Sequence, residues 1–151
     1  MRFETIQDVL EHGRAMHQQI ADFYRQLDDA SAQTRVRMLL EYLAEHEQHL
    51  AEALHELRSV GDPALMHSFL AHMPDPVQFD AALHVPIRPD MEVDEVLEMA
   101  LRFDDALIEL YQNLAEHTDN EAIRNLLNNL TELENLEKRR VVRNTLMMQD
   151  L

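Results

Sequence analysis

The chain has 151 residues, a formal net charge of −16 from 13 Lys and Arg against 29 Asp and Glu, two glycines and no cysteine. Its length suits one domain, residues 1–151, with ample core. That charge excludes nucleic acid or anionic membrane as partners through bulk electrostatics, and the missing thiols exclude disulfides, thiolate metal sites and cysteine nucleophiles.

The first predicted helix spans about 5–28, with Thr5 and Asp8 as its capping signal. Ile6, Leu10, Gly13, His17, Ile20, Tyr24 and Leu27 recur at steps of three and four and trace one seam, with His17 in its middle. The second spans about 31–60, capped by Ser31 and stopped by Gly61-Asp62-Pro63. Its seam reads Val36, Leu39, Leu43, His46, Leu50, Ala53 and Leu57. Residues 61–90 hold all five prolines and form a crossover containing one short helix, DPALMHSFLAHM. Thirty residues reach past the roughly 40 Å of such helices, so helices two and three can run parallel. The third helix, about 91–117, places Val93, Leu97, Ala100, Asp104, Leu107, Tyr111 and Leu114 inward. Thr118 and Glu121 form a capping box for the fourth, about 119–148. The fold class is therefore all-α: a four-helix bundle with one long crossover between helices 2 and 3.

Polar residues in mid-seam are costly unless paired, so His17, His46 and Asp104 at one level call for an explanation. The halves of the chain also match. His17 and Asp104 each stand seven residues before a tyrosine, Tyr24 and Tyr111, and LLEYLAEHEQHLAEAL aligns without gaps on LLNNLTELENLEKRRV. This duplicated helix pair, the crossover and the seven-residue offset resemble the ferritin-like superfamily, closest to its small rubrerythrin-like members, over nearly the whole chain.

The resemblance implies a di-iron or di-manganese centre built from one lone Glu on each of helices one and three and a Glu-x-x-His on each of helices two and four. Here His17 and Asp104 replace the lone glutamates. Helix two offers either His46 with His49 or Glu47 with Leu50, and helix four either Leu133 with Leu136 or Glu134 with Glu137. No register restores the family pattern, so the motif is degenerate.

His46 and His49 with His17 and Asp104 would supply three imidazoles and one carboxylate. That set suits a single transition metal ion, Fe, Mn or Zn. By resemblance, Tyr24 and Tyr111 would hydrogen-bond the ligands. The alternative is no metal at all, with His17 and His46 neutral and bonded to Asp104 and the tyrosines. Glu47, Glu134 and Glu137 read first as solvated flank residues, although an inward Leu127, Leu130, Val141 stripe would bring Glu134 and Glu137 into play. His12, His55 and His117 read as surface, and His67, His72 and His84 fall in the crossover.

Lys138, Arg139, Arg140 and Arg143 read as cations near a helix C-terminus. Leu146, Met147, Met148 and Leu151 make an apolar tail suited to a homodimer. No run reaches the roughly 18 apolar residues of a membrane span and no signal peptide is visible, so a cytoplasmic location is expected. Two functions stay open: a ferritin-like metal-binding protein, with turnover undecided, or a non-catalytic oligomeric bundle that has lost the di-metal centre and serves as an interaction module.

Overall fold

A computed structural model of the chain describes residues 5–70 and 88–149. Helix α1 is Ile6–Ala30, α2 Thr34–Val60, α3 Pro63–Met66, α4 Val93–Glu116 and α5 Glu121–Gln149. Among the described residues no helix is long and apolar enough to cross a membrane.

The local chemistry of the ends explains these bounds. Thr5 caps α1 as expected: its Oγ1 accepts from the Asp8 N–H at 3.3 Å, while its own N–H donates to Asp8 Oδ2 at 3.0 Å. Ser31 does not start α2. It terminates α1, donating its N–H to the Asp28 carbonyl at 3.2 Å, and Gln33 takes the cap position of α2. Asp62 accepts from the Ala64 N–H at 3.1 Å and Pro63 opens α3, which stops at Met66, well short of the predicted twelve residues; the last three of these lie outside the described residues. The Asn120 side chain accepts from the Ile123 N–H at 3.2 Å and so caps α5, in place of the predicted Thr118–Glu121 box. Thr118 instead accepts from the Asn120 N–H, shaping the turn.

Contacts fix the helix directions. Glu11 meets Arg58 and His17 meets Glu47, so α1 and α2 are antiparallel. Tyr42 meets Asn144 and His46 meets Glu137, so α2 and α5 are antiparallel too. Residues 117–120 are too few to do anything but reverse the chain between α4 and α5. It follows that α2 and α4 run parallel, as the long crossover allows. Its first residues are pinned to the start of α1, where the Ile6 N–H donates to the Ser68 carbonyl at 3.1 Å.

The core is in two parts. One apolar cluster gathers Leu10, Met16, Leu54, Leu107, Tyr111, Leu127 and Leu130; the other gathers Ile20, Tyr24, Leu43, Ala100, Phe103 and Val141. On every long helix the break between them falls at a polar residue.

Candidate metal centre

The four residues at the break are His17 on α1, Glu47 on α2, Asp104 on α4 and Glu134 on α5, none more than 3% exposed. His17 is their hub. Its Nδ1 bonds Glu47 Oε2, and its Nε2 lies 2.8 Å from Glu134 Oε1. Four helices thus meet in one buried, charged layer between two apolar halves.

The packing of α2 explains why a glutamate lies inside. Three, four and seven residues to either side of Glu47 stand Leu40, Leu43, Ala44, Leu50, Ala51 and Leu54, all buried. Burying that apolar face carries Glu47 inward with it. On α5, Leu127, Leu130 and Val141 turn inward and bring Glu134 along. The reading of Glu47, Glu134 and Glu137 as solvated flank residues is corrected: they are 2%, 1% and 9% exposed.

Burial pulls the His17 imidazole down, but the Glu134 and Glu47 carboxylates beside it prevail and hold it well above its ordinary 6.5. Burial raises Asp104 well above its ordinary 3.8, and the Glu47 and Glu134 carboxylates push it further the same way. Tyr24 is raised by burial and then by Glu47 and Asp104, and Tyr111 by burial and then by Glu134. Both hydroxyls therefore sit in the field of the carboxylate layer. Neither has a hydrogen-bond partner among the described residues, nor does the buried Glu134 Oε2.

These shifts set a pH dependence. A raised histidine contributes stability in full below its unfolded value of 6.5 and loses it as pH rises through the folded value. Asp104 behaves alike, its contribution complete below 3.8 and lost as pH climbs through the raised folded value. Both act in one direction. Chelator-treated protein is expected to unfold at lower urea concentration at a pH of about 8.5 than at about 6; the opposite trend would contradict a proton-held layer.

The other residues singled out by sequence lie elsewhere. His46 is displaced to the seam between α2 and α5, where its Nε2 stands 3.3 Å from Glu137 Oε2 without the alignment of a hydrogen bond. Its ring stacks on Tyr42, with centroids 5.9 Å apart. His49 is exposed. His17 and Asp104 are thus brought together with Glu47 and Glu134, not with His46 and His49. Leu136 is 38% exposed and Leu133 only partly buried, so neither fills the layer. His12, expected at the surface, is buried at 6% exposure, while His55, His67 and His117 are exposed. His72 and His84 lie outside the described residues.

Gly13 makes room for one tyrosine. A Cβ there would come within 2.6 Å of the Tyr111 hydroxyl and 3.0 Å of Leu54 Cδ1. Tyr111 is fully buried on a rigid ring and has nowhere to retreat. Gly13→Ala should cost about 1–2 kcal/mol net, overpacking exceeding the gain of about 1 in helix propensity. Tyr111→Phe in the same chain should recover most of that loss in thermal unfolding.

The bundle, its crossover and the polar layer define the class: the chain has the ferritin-like fold. Its structural neighbours include a crystal structure described as a "putative ferritin-like diiron-carboxylate protein" from Thermotoga maritima, at 20% identity, TM-score 0.61, covering 96% of this chain and 97% of the other. No family model and no curated protein matches the sequence.

Proposed function

We propose that this chain binds a single divalent transition metal ion, Fe, Mn or Zn, through His17, Glu47, Asp104 and Glu134. The observation that carries this reading is a charge imbalance. With all three carboxyls ionised and His17 protonated, the buried layer would carry two uncompensated negative charges between apolar halves. Raised proton affinity at His17 and Asp104 is how such a layer copes without a cation, and one divalent ion offsets the excess. The name of the Thermotoga maritima neighbour supports the reading, since it describes a diiron-carboxylate protein.

The donor set suits one ion better than two. Three residues beyond the inward glutamates stand Leu50 and Glu137, so neither Glu-x-x-His imidazole is present. Such an ion would supply Lewis acidity or redox chemistry; the residues' own part is to hold it, exclude water and surrender protons as it binds. Because both His17 ring nitrogens face carboxylates, one must leave its partner before it can ligate.

That engagement also favours the second reading, a metal-free bundle serving as an interaction module. Among the described residues no three His, Asp or Glu side chains form a ready-made metal group. Melting curves of untagged protein, with chelator and with Fe²⁺, Mn²⁺ or Zn²⁺, separate the two. Metal binding is expected to raise the melting temperature by several degrees and to do so less in Glu134→Gln. Identical curves under all conditions would favour the metal-free bundle.

A further inference from the structure

No residue of the layer is more than 3% exposed, so an ion bound for it must first pass another side chain. Of the residues three or four positions from His17, Glu47, Asp104 and Glu134, only Glu137 carries a carboxylate or an imidazole. It stands one turn beyond Glu134 on the same face of α5, where Cβ atoms lie about 5–6 Å apart. Across the seam it meets His46, the residue next to Glu47 on α2. The His46 and Glu137 side chains are 11% and 12% exposed. The pair therefore reaches from solvent to the edge of the layer.

Its geometry suits an ion better than a hydrogen bond. His46 Nε2 has no hydrogen-bond partner among the described residues, although it stands 3.3 Å from Glu137 Oε2. Two ligands at about 2.1 Å from one transition metal ion, at angles of roughly 90–109°, stand about 3.0–3.4 Å apart. The imidazole is held in position by stacking on Tyr42, whose hydroxyl accepts from Asn144 Nδ2 at 2.7 Å. Glu137 Oε1 is taken by Arg140 Nη1 at 3.1 Å, on a side chain 54% exposed and so able to swing clear. Further in, Glu134 Oε2 is buried and equally without a hydrogen-bond partner among the described residues, the next donor along α5.

Building on the single-ion reading, we propose that His46 and Glu137 form the entry port of the layer. They capture a divalent transition metal ion at the α2–α5 seam and pass it to Glu134, with Arg140 as the latch. Two protein donors hold such an ion loosely, as hand-over requires, whereas the four side chains further in complete its shell. The net charge of −16 draws cations to the surface as a whole, and the port decides where they pass. Arg140 sets the barrier, since its cation occupies Glu137 and repels an incoming one. A port lies on the path and not at its end. It therefore alters uptake and release together and leaves the affinity nearly unchanged.

Free Mn²⁺ has a solution electron paramagnetic resonance signal that is lost on binding. Rapid mixing of Mn²⁺ with the chelator-treated full chain thus gives the uptake rate, and the end point gives the affinity. His46→Gln and Glu137→Gln are each expected to slow uptake and release at least about tenfold, with Kd kept within about threefold and helical circular dichroism unchanged. Arg140→Gln should do the opposite and speed uptake. Variants that load at the wild-type rate, or that lose affinity while uptake keeps its rate, would overturn the port and leave the metal site standing. Wild type that leaves the Mn²⁺ signal untouched would instead count against the single-ion reading, and the port would fall with it.

Discussion

The variant His17→Leu is expected to lose about 3–5 kcal/mol of stability in the metal-free state, because it removes one side of a buried ion pair and strands the other. His17 is fully buried and bonded at both ring nitrogens, so no water replaces it. Leucine fills much of the volume, which confines the effect to charge. Urea unfolding with chelator at neutral pH measures it. Removing one stranded charge in the same chain, by Glu134→Gln, should recover a substantial part of the loss, a coupling that distant residues do not show. A loss below about 1 kcal/mol would mean that the imidazole is not the counter-charge of the layer.

Asp104→Asn is expected to act with opposite signs on stability and binding. Asparagine has the same shape and no charge. It relieves the repulsion from Glu47 and Glu134 that raises the Asp104 carboxyl, so the metal-free chain should gain on the order of 1 kcal/mol at a pH near 8. Metal affinity should fall at least about 100-fold, since the loss of a ligand exceeds that of a residue merely supporting one. A residue that destabilises its own fold for the sake of a ligand is the pattern of a functional site. Urea unfolding with chelator and metal titration on one preparation read both effects. Loss of both stability and affinity would reduce Asp104 to a packing residue.

How much was legible depended on the helix. On α1 and α4 the apolar steps leave one seam each, so His17 and Asp104 could be placed inside from their spacing alone. On α2 the run Glu45-His46-Glu47-Gln48-His49 allows two registers, and the structure buries the one through Glu47 rather than the seam drawn through His46. The deciding signal was present: Leu40, Leu43, Ala44, Leu50, Ala51 and Leu54 flank Glu47 on one face, whereas Tyr42 and His49 interrupt the same positions around His46. On α5 the Leu127, Leu130, Val141 stripe competed with Leu133 and Leu136, and only contact with the other helices decides between them. The cap of α2 failed for a local reason. Ser31 supplies its N–H to the end of α1 before α2 begins.

Calorimetric titration of chelator-treated, untagged protein with Mn²⁺ tests the proposed metal site most directly. One ion per chain is expected, bound more tightly as pH rises and with binding lost in Asp104→Asn. No binding of Mn²⁺, with Fe²⁺ and Zn²⁺ equally ignored, or two equivalent ions per chain, would contradict it.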